Sequence, residues 1–403
     1  MGIFNLFSKK QRIYCDYAST TPTDPRVVSV MKPFWNEQFY NPSSLYEEAV
    51  SVKKVVGDAR QTIARLLSVQ SREIIITGSG TESANMAVLG VYEAVKKNWK
   101  KDMPPHIIVS AIEHPAVLES AREVARRGGT MSSIAVSEKG IVNVEELKRS
   151  ITPETILVSV MYANNEIGTV QPIREIGTML KEVRAERLAQ GNVTPLYFYT
   201  DASQAFNYCD CTVSMLGVDL MTLDGSKVYG PKGAGLLVVR GTIELQPVIY
   251  GGGQEQGKRS GTENVPLLVG FAKALEIAHE MRKEESKRLT VLRDSCIEQL
   301  LKAIPSARLN GDEKSRLPNN VNICIPHIDS EFAVIKLDRE GIACSSASSC
   351  SSHAPDSRSY VSEALGHGTE CAGSSLRFTF GRGTTEKEIE RLIKIVSVVV
   401  KTM

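Results

Sequence analysis

The run Asp224-Gly225-Ser226-Lys227-Val228-Tyr229-Gly230-Pro231-Lys232-Gly233 sets one lysine between an apolar, strand-like stretch and a glycine-proline turn. A turn of that composition holds the backbone in a narrow range of conformations, so the Lys227 amine is presented from a fixed shelf. An amine held in this way can add to an aldehyde and form an imine, the opening chemistry of enzymes that use pyridoxal 5'-phosphate. Most loop lysines are merely solvated charges. Other segments decide what this one does.

Several of them supply what such chemistry needs. Thr77-Gly78-Ser79-Gly80-Thr81-Glu82-Ser83 stands where an apolar run turns helical. Gly80 lets backbone N–H groups approach an anion, and Thr81 adds a hydroxyl at a helix N-terminus. No Gly-Lys-Ser/Thr ending follows, so a single phosphate suits the segment better than a nucleotide; a plain helix cap is the competing account. Asp201 ends the run Tyr197–Asp201, where a carboxylate can stabilise a protonated pyridine nitrogen or simply cap the next helix. Gln204 shares its turn and could reach a ring hydroxyl. His114, before Pro115, could lie against a flat ring or move a proton near neutral pH. Asn165 closes another strand-like run, the position where open α/β sheets place ligands. Cys350 lies in the small-residue run Ser345-Ser346-Ala347-Ser348-Ser349-Cys350-Ser351-Ser352-His353, which would let a thiol swing between two partners. Cys344, after Gly341-Ile342-Ala343, reads as buried.

Alternating apolar runs and amphipathic stretches must position these residues. Strands are expected near 73–77, 106–111, 155–161, 195–200, 220–223 and 234–239, with helices near 82–97, 115–127 and 173–189 between them. That alternation predicts an α/β domain with a mainly parallel sheet covered on both faces. A long helix over about 265–303 reads as a connector to a smaller α+β unit, with strands at 320–325 and 375–380, a helix at 330–340 and a closing helix from Thr385. At 403 residues, 42% hydrophobic and 23% charged, the chain can hold two domains of ordinary globular composition. A net charge of +2 gives no reason to expect nucleic acid or an anionic membrane as partner, and no run reaches a membrane span. The opening residues 1–10 lack the polarity of a secretory signal and read as a frayed end or small docking tail. Eight cysteines without paired metal-ligand spacing suggest reduced thiols in a cytoplasmic compartment, with no metal.

Segments 14–26, 78–85, 113–115, 164–172, 200–204, 227–235, 259–262 and 374–381 resemble, in order, those of cysteine desulfurases of the NifS/IscS type, in the class V aminotransferase family. The resemblance covers nearly everything from residue 13 onward. It implies fold type I of pyridoxal phosphate enzymes: a mostly parallel seven-stranded sheet in a large domain (14–263), and a small α+β domain (1–13 and 264–403) carrying a loop at about 344–359. By the same resemblance Lys227 bears the cofactor, His114 stacks on its ring, and Asp201 pairs with the pyridine nitrogen. Gln204 and Asn165 surround the ring oxygen. Gly80, Thr81 and Ser226 serve the phosphate, joined by Thr262 from the second subunit of a homodimer. Arg377 takes the substrate carboxylate with Asn165 beside it, and Cys350 forms the persulfide.

The expected activity converts L-cysteine to L-alanine and passes sulfur to an acceptor protein for iron–sulfur clusters or thiolated cofactors. A selenocysteine lyase, another lyase or transaminase of this fold, and a non-catalytic sulfur-assembly scaffold are the alternatives. Two positions depart from the family pattern. Where a serine and a histidine usually stand, three residues before the lysine and directly before it, this chain has Asp224 and Ser226. Ser226 can still donate to a phosphate, but ionised Asp224 cannot and would repel a dianion. Its side chain is expected either to turn toward Lys227 or a backbone amide, or to weaken cofactor binding. Tyr46 likewise replaces the polar residue often found after Asn41-Pro42-Ser43-Ser44.

Overall fold

The computed structural model describes residues 12–241, 243–346, 358–366 and 368–403. The chain enters through β1 (Ile13–Tyr14). It then lays down the strands of a seven-stranded sheet: β2 (Ile74–Thr77), β3 (His106–Ser110), β4 (Thr130–Ile134), β5 (Thr155–Ser159), β6 (Tyr197–Asp201), β7 (Leu220–Asp224) and β8 (Gly235–Val239). Their order is β2-β8-β7-β6-β5-β3-β4. The strands from β4 to β7 run parallel, while β8 runs antiparallel to both of its neighbours. Every residue of β3, β5 and β8 is buried. A sheet covered on both faces favours apolar side chains on either side, which is why the middles of these strands read as apolar runs rather than alternating ones, with buried polar residues at the ends of β3 and β5.

The smaller unit holds β9 (Arg308–Leu309), β10 (Asn320–Cys324), β12 (Ser345–Ser346) and β13 (Ser375–Thr379), with sheet order β12-β13-β10-β9, while β11 (Ile342–Ala343) pairs in parallel with β1. The long helix Val265–Ala303 begins under an Asn264 cap with Pro266 in its first turn. Its first half gives Val265, Leu268, Phe271, Leu275 and Ala278 to the core under the large sheet. Its second half gives Leu289, Leu292, Cys296 and Leu300 to the core of the smaller unit. The residues within each half follow helix-period spacing, and the polar stretch 279–288 separates the two apolar stripes.

Two expectations are corrected. The reading of eight reduced thiols fails for one pair: Cys324 on β10 and Cys371 in the helix Gly368–Gly373 form a disulfide, with Cα atoms 5.3 Å apart. The fold brings together cysteines 47 residues apart, a proximity that local spacing does not reveal. Cys344 is half-buried rather than buried. The expectations for residues 1–10 and for Cys350 lie outside the described residues.

Candidate active site

Lys227 ends a single 3-10 turn, Gly225–Lys227, at the carboxyl end of β7. Gly225 is pinned on both sides: its N–H donates to the Ala234 carbonyl at 2.8 Å, and its carbonyl accepts from Gly230 at 2.9 Å. A Cβ at 225 would lie 2.6 Å from the Pro231 carbonyl oxygen, so only glycine fits the shelf. The entering loop is stitched to it as well. Thr21 donates to the Ser226 carbonyl from both N–H and hydroxyl, and Tyr229 donates its N–H to Thr21. The Lys227 amine donates to the Ser19 carbonyl.

The amine faces a cavity of about 210 Å³ lined by Gly80, Thr81, His114, Asn165, Asp201, Gln204 and Arg377, among others. All of these except Arg377 are set by ends of the large sheet. Asp201 closes β6 and accepts the Ser203 N–H at 2.9 Å; Gln204, in the same turn, donates to the Ala18 carbonyl at 2.9 Å. His114 caps the helix Pro115–Arg126, accepting the Ala116 N–H on Nδ1 at 3.1 Å. Nδ1 is therefore unprotonated, and the neutral ring carries its proton on Nε2. Burial holds the imidazole below its usual pKa, with the Lys227 charge acting the same way against the pull of Asp201 and Asp224.

Asn165 and Arg377 meet where the two units face each other. Arg377 on β13, only 3% exposed, donates to the Asn165 carbonyl at 3.0 Å and to Asp16 and Ser19, each at 2.8 Å. Its Nε and the Asn165 Oδ1 are buried with no partner among the described residues. An unpartnered buried donor beside an unpartnered buried acceptor marks a place shaped for a polar ligand.

At the other end of the cavity Ser79 caps the helix Gly80–Lys96. The Gly80 N–H donates to Asp224 Oδ2 at 2.8 Å, while Asp224 Oδ1 accepts the Ser226 N–H at 2.8 Å and hydroxyl at 2.6 Å. Asp224 thus turns to backbone amides, one of the two orientations its sequence allows. Ser226 spends both its donors on Asp224.

Two buried carboxyls stand directly behind the site. Glu113, next to His114, accepts from Ser110 and the Met161 N–H, each at 2.6 Å, and burial pushes it up to about 7. Glu166, next to Asn165, accepts from Ser359 at 2.5 Å and is likewise pushed by burial to about 7. Tyr360 donates to the Glu113 carbonyl at 2.6 Å. Of the residues expected from sequence, Ser226 is not part of the cavity lining, Thr262, expected from the second subunit, is exposed outside it, and Cys350 falls outside the described residues. Asp16, Ser19 and Ser203 were missed. The first two sit in the segment 14–26 and Ser203 between Asp201 and Gln204, but a serine or aspartate in a turn first reads as a local cap.

Residues 13–392 match the aminotransferase class-V family, and the chain belongs to it. Over 393 residues it is 40% identical to a Clostridium botulinum protein named cysteine desulfurase IscS, covering 97% of this chain and 95% of the relative. A cysteine desulfurase IscS of Dictyoglomus turgidum is 39% identical over 394 residues, covering 98% and 96%. Among solved structures, a NifS-like protein superposes with a TM-score of 0.88 at 30% identity, covering 98% of this chain and 100% of that one. SspA in complex with cysteine gives 0.76 at 31% identity, covering 91% and 98%.

The class is one of pyridoxal phosphate enzymes, and pyridoxal 5'-phosphate is this chain's cofactor. The cavity fits that group: an amine on a rigid shelf, a carboxylate at a strand end, a neutral imidazole and an unpartnered amide oxygen share its lining. A glycine-started helix stands at one end, already engaged by Asp224.

Proposed function

We infer that the chain is a cysteine desulfurase, converting L-cysteine and an enzyme thiol to L-alanine and an enzyme persulfide. The observation that carries this reading is the convergence of Lys227 and the buried Arg377–Asn165 pair on one cavity. The full-length likeness to proteins named cysteine desulfurase supports it.

Bound pyridoxal phosphate supplies an aldehyde that links to amines and a ring that takes up the electrons of a broken Cα–H bond. Lys227 would be the amine that holds the aldehyde, and Lys227, once free, or His114 would move the proton from Cα. Asp201 would keep the ring nitrogen protonated, and Gln204 and Asn165 would meet the ring oxygen. Gly80, Thr81 and Ser226 would serve the phosphate. Arg377 receives the substrate carboxylate through a planar fork that lysine cannot reproduce. His114, neutral and tethered through Nδ1, can lend the proton on Nε2 and then take one back there.

Cys350 is the thiol in this proposal. Its sulfur bonds to the sulfur of cysteine as the substrate's C–S bond breaks, and a proton replaces sulfur on the carbon that leaves as alanine. The persulfide then passes to an acceptor protein of iron–sulfur or thio-cofactor assembly. A homodimer and a cytoplasmic location complete the reading. Exposed apolar side chains close together in sequence, Trp35 at 59%, Phe39 at 65% and Leu45 at 94%, support the first, and five free thiols among the described residues, set against one disulfide, support the second. The two units, divided near 263/264, are proposed as the large and small domains.

Mass spectrometry of the protein after addition of L-cysteine tests the assignment. One added sulfur atom on Cys350 is expected, together with alanine in the supernatant, and C350S should lose both while keeping the cofactor's absorbance. Wild-type turnover by C350S would remove Cys350 from the scheme.

A further inference from the structure

The start of the helix Gly80–Lys96 offers donors that suit an anion, yet a side chain of this same protein already takes them. Three donors converge on the Asp224 carboxylate: the Gly80 N–H at 2.8 Å, the Ser226 N–H at 2.8 Å and the Ser226 hydroxyl at 2.6 Å. The fit is close. A Cβ on residue 80 would stand 3.1 Å from Asp224 Oδ2 and 3.3 Å from its Cβ, so Gly80 is what lets the carboxylate close onto the helix end. Ser203 Oγ lies 3.4 Å from that same point, adding a hydroxyl to the rim. The neighbouring Gly78 N–H is engaged too, by Glu82 at 2.8 Å, and Arg259 pairs with Glu82 at 2.8 Å and offsets its charge. The three donors that hold Asp224 are all uncharged.

We propose that Asp224 is an affinity-determining residue for the cofactor: its carboxylate is a resident anion that holds the donors a phosphate needs. The inference rests on the reading that this cavity binds pyridoxal phosphate, and it deepens that reading. A dianion approaching the helix end meets a like charge at close range and donors already satisfied. Binding therefore requires Asp224 to swing out and give up three hydrogen bonds. Lys227, His114 and Asp201 would hold the ring and aldehyde instead, so the cost would fall on the phosphate alone. The chain consequently holds pyridoxal phosphate with less advantage over unphosphorylated pyridoxal than a neutral residue at 224 would confer.

Equilibrium titration of the full-length chain, freed of cofactor with hydroxylamine, measures this through absorbance with pyridoxal phosphate and, separately, with pyridoxal. D224S should lower the Kd for pyridoxal phosphate at least tenfold and leave that for pyridoxal within about twofold. D224N removes the charge at constant shape, guards against a folding defect in D224S, and should shift the ratio of the two Kd values in the same direction. In the cofactor-free state, inorganic phosphate should raise the melting temperature of D224S more than that of wild type. An unchanged Kd ratio in both variants, or a weaker grip on pyridoxal phosphate alone, overturns the proposal while leaving the functional reading intact. If wild type and variants alike fail to bind pyridoxal phosphate, the functional reading falls first and this inference with it.

Discussion

Arg377 shows how much of the site depends on single side chains. It is buried against Asp16, Ser19 and the Asn165 carbonyl, and a buried guanidinium whose fork is partly satisfied is costly to replace. A charge-assisted pair is worth about 1.5–3 kcal/mol, or about 10–100-fold in affinity. R377A is therefore expected to raise KM for cysteine by that factor with the cofactor's absorbance unchanged, and R377K to recover little of it, as steady-state kinetics would show. Glu113 and Glu166 make a second prediction at this scale. Both are pushed from an ordinary 4.5 to about 7, so the folded chain binds their protons more tightly than the unfolded chain does. Their stabilisation is fully present below about pH 4.5 and lost as pH rises through about 7. Each amounts to about 3 kcal/mol at most. Urea denaturation should show a shallower decline between pH 5 and 8 for E113Q and E166Q than for wild type. Equal slopes in all three would mean that these carboxyls ionise normally.

At the scale of elements, the shelf under Lys227 is the most demanding piece. A methyl group at 225 would press on the Pro231 and Ala234 carbonyl oxygens at 2.6 and 2.9 Å, both of them backbone. G225A should cost about 1–3 kcal/mol of stability. It should also reduce borohydride-stable labelling of Lys227, because the 3-10 turn that aims the amine cannot form undisturbed. Much of this architecture is legible in the sequence. The buried strands announce themselves as apolar runs, and the long helix through its cap, its proline and its apolar spacing. The strand Thr130–Ile134 does not. It lies at the sheet edge with three of its five residues exposed, and Thr-Met-Ser-Ser-Ile has neither an apolar run nor clean alternation. The site residues on strand ends were readable because sheet topology fixes where those ends converge. Asp16 and Ser19 were not, since their partner Arg377 is about 360 residues away in the chain.

Across the whole molecule, covalent and packing constraints act over long separations. The Cys324–Cys371 disulfide closes a loop of 47 residues, and loop-closure entropy makes such a bond worth about 2–4 kcal/mol. Dithiothreitol, or C324S, should lower the denaturation midpoint accordingly, and thiol labelling without reductant should spare both cysteines. Likeness in sequence could not have shown this pair, because only the three-dimensional fold juxtaposes β10 and the helix 368–373.

The rod from Val265 to Ala303 seals the underside of one core with its first four turns and fills the other with its last. A gene severed between codons 263 and 264 would strip the upstream product of its greasy lining, and leave the downstream product carrying a strip of oily residues with nothing to cover them. Neither fragment would be at home in water. The two halves of this enzyme therefore have to be made, and lost, together.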